Sequence, residues 1–453
     1  MQNEEADITR LLLGKAPEGV NLPLCAKCIQ AREKMKTKAP LWHSHPSLAY
    51  PFAVSVEQGS SQATALFKQM IIAELFKKGG PSIPDRNNPE FLHHNGVVPL
   101  TGGIITADLT GGMGIDSYFI SRIASTHYYF ERNEELCTAT EYNFRELGAD
   151  NIIASARDIT AGGCAALKEL EGKGISLLYI DPARRTQSGG KAILLQDYEP
   201  NIIELQERMF AVSRHILVKV SPMADIKLNL KHLPKTSAIY VVAVENECKE
   251  LLYLLDREHD GSEPPVYCCN VVLFYNQLNN SELKNTNKGI SEELKTQTTD
   301  ILQIIKKDVV KISEEEQATA TYATTLGKYL YEPNKAILKG GAYKLVSQRY
   351  RCRKLAVSTH LYTADEEIAG FPGKRFIVEE VLEFNKKTLK DVAARYPKAD
   401  LTARNFPLDT NALKKQSGIK DGGTRHIFAV TLSNGRKTLV VTIPADHNTS
   451  AGK

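Results

Sequence analysis

The sequence predicts an α/β protein: a mostly parallel, seven-stranded sheet covered by helices, with a helical region before it and an α+β region after it. Three observations predict this. From Gly103 to Tyr275 short apolar runs alternate with amphipathic stretches, the pattern of a parallel sheet with helices on both faces. Ahead of that segment, apolar residues recur at helical spacing. Near the C-terminus two apolar runs flank Asn434-Gly435, the strongest short-range hairpin signal. The expected organisation is a helical region over 1–95, the α/β domain over 96–276, a connecting segment over 277–330 and a basic α+β region over 331–453.

In the first region the helical stretches are Ile8 to Leu13, Cys25 to Lys38 and Gln62 to Lys78. Pro40, Pro46 and Pro51 punctuate the link between the last two. Lys77 to Asn95 is rich in Gly and Pro and reads as a loop. The α/β series then runs strand 104–107, helix 115–125, strand 126–130, helix 134–147, strand 152–154, helix 165–171 and strand 176–180. It continues with helix 199–213, strand 216–220, strand 239–244, helix 246–255 and strand 266–275. The last two strands are the ones expected to depart from parallel. Residues 276–325 are polar and read as a connection, with a short strand at 309–312. The C-terminal region reads as strand 376–382, helix 387–396, strand 401–405, helix 409–416 and a hairpin of 425–432 with 437–443.

Composition excludes several classes. With 42% hydrophobic and 24% charged residues the chain is neither disordered nor low-complexity. No run reaches the roughly 18 apolar residues of a membrane span. Met1-Gln-Asn-Glu-Glu-Ala-Asp is acidic and has no apolar segment, unlike a secretory signal. Eight scattered cysteines fit reduced thiols in a cytoplasmic protein better than a disulfide framework. The net charge of +4 hides an asymmetry: residues 331–453 carry 22 Lys and Arg against 12 Asp and Glu. Such a module suits a polyanionic partner such as RNA, although charge also segregates by chance on solvated surfaces.

The first predicted strand ends in Asp108-Leu-Thr110-Gly111-Gly112-Met-Gly114. A glycine turn between first strand and helix lets backbone approach a ligand at the switch point of the sheet, and taken alone would equally suit a dinucleotide. Carboxylates follow in phase. Glu131 ends the second strand, where it can accept both hydroxyls of a ribose. Asp158 ends the third region, placed to meet an adenine amino group, and Asp181-Pro182-Ala183-Arg184 ends the fourth. The bland alternative is that these acids cap the following helices.

At these residues the chain resembles class I S-adenosylmethionine-dependent methyltransferases. Asp108-x-x-x-Gly112-x-Gly114 is similar to their first motif, with Thr110 where its strictest form has glycine. Glu131 resembles their ribose-binding acid and Asp158 the residue beside the adenine. Asp181-Pro-Ala-Arg resembles the fourth motif of enzymes acting on nucleic-acid bases, except that Arg184 replaces the aromatic that would stack on a flipped base. The resemblance implies a Rossmann-like fold with an antiparallel last strand, S-adenosyl-L-methionine as cofactor, and Asp108, Thr110, Gly111, Gly112, Gly114, Glu131 and Asp158 around it. More narrowly, the chain resembles a bacterial group of methyltransferases with a C-terminal THUMP-like domain. Gln58-Gly-Ser-Ser-Gln-Ala-Thr-Ala, Asp108 to Asp116, Asp181 to Arg185, Tyr331-Glu-Pro-Asn-Lys-Ala-Ile-Leu-Lys-Gly-Gly and Arg404-Asn-Phe-Pro carry that resemblance. THUMP domains bind RNA in tRNA-modifying enzymes, so it implies an RNA substrate.

The residues narrow the chemistry further. Methylation at pyrimidine C5 needs a thiolate that adds to the ring, and neither Asp181-Pro-Ala-Arg nor Val220-Ser221-Pro222-Met223 holds a cysteine. Direct transfer to nitrogen or oxygen remains. Asp181 and the carbonyl of Pro182 are the expected acceptors for the hydrogens of an amine, and positioning would supply most of the acceleration. Arg184 and Arg185 suit a phosphate clamp, or equally ion pairs with neighbouring acids. Two other function classes stay open: a nicotinamide-dependent oxidoreductase, which leaves Asp181-Pro-Ala-Arg without a role, and a non-catalytic RNA-binding protein retaining the fold. Cys25-x-x-Cys28 with His43 and His45 lacks the usual zinc spacing, and no metal is expected. Gln58 to Thr64 precedes the first strand and is placed to line the cofactor pocket.

Overall fold

The computed structural model describes residues 22–77, 103–184, 194–275 and 301–445. The predicted helix at Ile8 to Leu13, most of the loop after Lys77, and Arg185 lie outside them. Two compact units divide the chain, one built on the parallel sheet and one on the C-terminal sheet.

The first unit opens with four helices, α1 (Leu22–Lys38), α2 (Pro40–Ser44), α3 (Ala53–Gln58) and α4 (Gln62–Leu75). Ser61 caps α4, its hydroxyl accepting from the Thr64 amide. Met35, Trp42, Val56 and Leu66 form a core with Met113, Ile115 and Phe119 of the α/β domain. The helical region is therefore packed on the α/β domain through the turn that follows its first strand.

Strands and helices then alternate as β1 (Ile104–Asp108), α5 (Ile115–Ser121), β2 (Ala124–Glu131), α6 (Glu134–Glu146), β3 (Ile152–Ala156), α7 (Ala161–Leu170) and β4 (Leu177–Ile180). A short ribbon follows, β5 (Ala183–Arg184) against β6 (Tyr198–Glu199). The series ends with α8 (Ile202–Val212), β7 (His215–Val220), α9 (Ile226–His232), β8 (Thr236–Val244), β9 (Glu247–Asp256), β10 (Val266–Tyr275) and β11 (Ile301–Val310). The sheet order is β11-β10-β8-β9-β7-β4-β1-β2-β3. The neighbours of β1, the pair β2–β3 and the pair β4–β7 are parallel, and β9 lies antiparallel to β7. All four residues of β4 are buried, as befits a central strand covered on both faces.

In the segment 277–330, expected to be a connection with a short strand at 309–312, residues 301–310 form β11 and residues 312–317 a helix. Residues 246–255, expected to be a helix, form β9. Glu245 and Asn246 both adopt positive φ, +49° and +62°, the backbone of a two-residue hairpin turn. The run Leu251 to Leu255 is buried at every position, so it carries neither helical nor strand period, and periodicity alone cannot type such a run. The antiparallel seventh strand is thus β9, and Val266–Tyr275 and Ile301–Val310 extend the seven-stranded core at one edge.

After α10 (Ile312–Gln317) the second unit forms a separate sheet. Its strands are β12 (Tyr329–Pro333), β13 (Arg353–Ala356), β14 (Thr359–Ala364), β15 (Gly373–Glu383), β16 (Asp400–Arg404), β17 (His426–Thr431) and β18 (Lys437–Pro444), in the order β13-β14-β12-β15-β18-β17-β16. Helices α11 (Lys335–Gly340), α12 (Tyr343–Arg349), α13 (Lys386–Arg395) and α14 (Thr410–Ser417) connect them. The pair β16–β17, which spans α14, is parallel, and the hairpin β17–β18 turns at Asn434-Gly435. Leu389, Val392, Leu401, Leu413 and Ile427 pack one face of this sheet.

Candidate active site

The site is built where β1, β2, β4 and β7 end side by side. Asp108 closes β1 and is buried; its Oδ1 accepts from the Thr110 amide at 2.9 Å and its Oδ2 from Ser117 Oγ at 2.6 Å. Burial drives its pKa up to about 7, against the opposing pull of the Ser117 and Thr110 hydrogen bonds. The turn after it has glycine where no other residue fits. A Cβ on Gly111 would stand 2.0 Å from the Tyr129 ring, and Gly114, at φ +73°, caps α5 beneath Phe144 and Thr140. The turn is pinned to β2: the Gly111 amide donates to the Phe130 carbonyl at 2.8 Å, and Tyr129 Oη donates to the Gly112 carbonyl at 2.6 Å.

Glu131 closes β2. Its Oε2 accepts from the Gly112 amide at 2.9 Å and its Oε1 from the Asn133 amide at 2.8 Å. Each carboxylate oxygen can still accept a second hydrogen bond, so the group is fixed in orientation and retains capacity for a ligand. Asp181 follows β4 directly, and its amide donates to Thr110 Oγ1 at 2.7 Å. Thr110 thereby ties the fourth-strand turn to the glycine turn, a task that glycine at that position could not perform. Pro182 is buried, and Ala183 and Arg184 continue into the β5–β6 ribbon. Asp108, Thr110, Gly111, Gly112, Gly114, Glu131 and Asp181 thus share one hydrogen-bonded constellation.

Among the described residues Asp158 shares no side-chain hydrogen bond with that constellation. Its Oδ1 accepts from the amide and hydroxyl of Thr160 at 2.8 and 2.6 Å, which keeps the carboxyl below its ordinary pKa. These are the local bonds of a residue organising the entry to α7, as in the capping alternative. Away from the site, Cys28 Sγ donates to the Tyr50 carbonyl. Among the described residues no helix is long and apolar enough to cross a membrane.

Sequence reasoning missed a second layer beneath Asp181. Lys219 Nζ lies 2.5 Å from Asp181 Oδ2 and 3.0 Å from Ser60 Oγ. Ser60 Oγ and Tyr179 Oη each donate to Asp116 Oδ2 at 2.6 Å. Lys68 of α4, fully buried, stands 3.1 Å from Asp116 Oδ1 and 2.8 Å from Glu250 Oε1. Burial opposes a charged Lys219, but Asp181, Asp116 and Glu250 outweigh it and hold the ammonium well above the ordinary lysine pKa. Burial likewise works against Asp116, yet Lys68 and Lys219 keep it below the usual carboxylate value. The sequence did offer signals. Lys219 interrupts the apolar run Ile216-Leu-Val-Lys219-Val, and Ser60 falls in the stretch expected to line the pocket.

Comparison places these features. Residues 329–372 match a family described as a ferredoxin-like domain, and residues 373–444 one described as THUMP domain-like. Together with the sheet order, these define the class: an α/β chain with the class I methyltransferase fold and a C-terminal THUMP-like domain. Along its length the chain is similar to the crystal structure of a provisionally named methyltransferase from Porphyromonas gingivalis W83. The two share 27% identity at a TM-score of 0.75, over 98% of this chain and 95% of that one. An rRNA methylase from Streptococcus thermophilus aligns at 14% identity and a TM-score of 0.26, over 34% of this chain and 87% of its own. A methyltransferase so named, again provisionally, from Streptococcus mutans in complex with SAH aligns at 13% and 0.25, over 34% and 88%. Likenesses that partial do not bear on function. Comparison with curated proteins gives no match.

Proposed function

We propose that this chain is an S-adenosylmethionine-dependent methyltransferase that acts on RNA, transferring a methyl group to a nitrogen of a base. The observation that carries the reading is the Thr110–Asp181 hydrogen bond, which sets the Asp-Pro turn of the fourth strand against a glycine turn whose Gly112 amide orients Glu131. The whole-length likeness to the P. gingivalis protein supports it.

The residues fit the cofactor. The Gly111 to Gly114 turn is closed to side chains and open to a ligand's approach along backbone, and Glu131 offers fixed acceptors for a ribose. Asp158 would meet the adenine. When bound, the cofactor would supply a methyl group on a sulfonium, with the N–C bond forming from the nitrogen lone pair as the C–S electron pair is left on sulfur. The chain's own part is to hold the acceptor. Asp181 Oδ1 and the Pro182 carbonyl accept the hydrogens of the nitrogen, aligning its lone pair, and the carboxylate receives the proton released. Such positioning converts a bimolecular encounter into a nearly unimolecular step. Arg184 and Arg185 follow the acceptor turn in sequence and are assigned to the RNA backbone.

For the RNA itself, the second unit presents an open cavity of about 520 Å³ lined by Arg395, Tyr396, Lys398, Lys420, Gly423 and Arg425. The guanidinium groups of Arg395 and Arg425 lie 5.3 and 5.6 Å from the Tyr396 ring centroid, each also paired with a glutamate, Glu380 and Glu379. Lys398 and Lys420 are exposed, and among the described residues no carboxylate pairs with either. A cleft of this kind suits a phosphate backbone.

The deciding experiment is calorimetric titration with S-adenosylmethionine, S-adenosylhomocysteine and NAD in parallel. Binding of the first two, lost in Glu131→Ala, followed by methyl incorporation into RNA, is the expected result. Binding of NAD alone would overturn the reading in favour of an oxidoreductase. RNA binding without affinity for any of the three, with or without RNA present, would point to a non-catalytic protein.

A further inference from the structure

We propose that Lys219 is the positioning residue for Asp181, and that the buried Lys68, contributed by the N-terminal helical region, completes the frame that holds Lys219 in place. The proposal rests on the methyl-transfer reading of Asp181 and assigns the missing part of that site.

Register makes the pair. Ile180 of β4 lies opposite Val218 of β7 in parallel pairing, so Asp181 and Lys219 continue the register and their side chains rise on the same face. The ammonium takes only one of the two carboxylate oxygens, Oδ2. Among the described residues Oδ1 accepts no hydrogen bond, and the Asp181 side chain keeps 31% of its surface exposed against 13% for Lys219. One oxygen is anchored from below and the other is offered outward. A freely rotating aspartate at a strand end would present either oxygen in many directions, whereas an acceptor must be held within a fraction of an ångström.

The frame under Lys219 is itself over-determined. Ser60 Oγ donates to Asp116 and therefore presents its lone pairs to Lys219. Glu250 Oε2 stands 4.0 Å from Lys219 and 3.0 Å from Lys68 Nζ. Five charged groups meet here: Lys68 on α4, Asp116 on α5, Asp181 after β4, Lys219 on β7 and Glu250 on β9. Lys38 of α1, hydrogen-bonded to the Val56 and Glu57 carbonyls, adds its field from the α3 side. Three carboxyl groups face two buried ammonium groups beneath the acceptor turn, and burial pushes the Glu250 pKa up against the opposing pull of Lys68 and Lys219. A buried ionic cluster is a poor way to gain stability compared with apolar packing. Its position, one residue deep beneath the acceptor turn, assigns it to orientation instead.

The test is a double-mutant cycle read as methyl transfer from radiolabelled S-adenosylmethionine into total RNA from cells lacking this protein. Lys219→Met is expected to lower kcat by about a hundredfold, with affinity for S-adenosylmethionine within about twofold by calorimetry. Lys219→Arg, which keeps a charged donor, should stay within about tenfold of the parent. In an Asp181→Asn background, Lys219→Met should cost less than about threefold more, because a residue acting through another loses its effect when that other is changed. Equal loss in both backgrounds, or loss of cofactor binding together with rate, would overturn the proposal and leave the methyltransferase reading intact. If Lys219→Met does not fold, Lys219→Gln is judged by the same coupling. A parent protein that methylates no RNA would overturn the functional reading, and this proposal with it.

Discussion

Asp108 is buried where a charge is costly, and its pKa of about 7 makes a pH prediction. The sign is opposite to that of a salt-bridged aspartate. Between the ordinary value of 3.8 and about 7 the folded state holds a proton that the unfolded chain has released, so stability falls as pH rises through this window. Asp108→Asn should flatten that dependence, removing a slope of at most about 1.4 kcal/mol per pH unit, as measured by urea unfolding at several pH values. Gly111→Ala is a second residue-scale test. Tyr129 cannot retreat, because it is buried and its hydroxyl is bonded to the Gly112 carbonyl. The substitution should cost about 1–3 kcal/mol by overpacking, and the displaced turn should weaken S-adenosylmethionine binding at least tenfold.

At the scale of elements, α4 does more than cover the sheet. Its Lys68 is the counter-ion of two buried carboxylates on separate elements, α5 and β9. Lys68→Met should destabilise by about 3–5 kcal/mol, since breaking a buried pair strands the remaining charges. Adding Glu250→Gln should recover a good part of that loss in a denaturant titration, which a simple packing defect would not allow. The β8–β9 hairpin teaches a different lesson. Its turn residues, Glu245 and Asn246, take left-handed backbone although neither is glycine, so the strong Asn-Gly type of signal is absent. The β17–β18 hairpin closes a longer turn between Leu432 and Arg436 with Gly435 at φ +81°, and its Asn434-Gly435 signal was legible at once. A β-branched residue in the left-handed position is strained by about 1–3 kcal/mol, so Glu245→Val should lower the thermal midpoint measurably.

For the whole molecule, part of the basic character of residues 331–453 lies along one cleft, at Arg395, Lys398, Lys420 and Arg425. Reversing the charge of Lys398 and Lys420 together should weaken RNA binding about tenfold or more and reduce the salt dependence of the affinity by one to two phosphate equivalents, in line with about 0.7 per contact on a single strand. Circular dichroism of that variant should be unchanged, as both side chains are exposed. The sequence by itself determined the alternation that makes a parallel sheet, the glycine turn, and the carboxylates at successive strand ends, because each is a local pattern whose chemistry is written in neighbouring residues. What only tertiary structure decided was the pairing of groups distant along the chain. Periodicity could not type β9, since burial on both faces erases its period. The Asp158 carboxylate accepts from both the amide and the hydroxyl of Thr160 at the entry to α7, a local bond that strand-end position alone does not reveal. Lys68, Asp116, Lys219 and Glu250 became one cluster because four separate elements close over the same point, and a charge buried there survives only when its partners arrive with it.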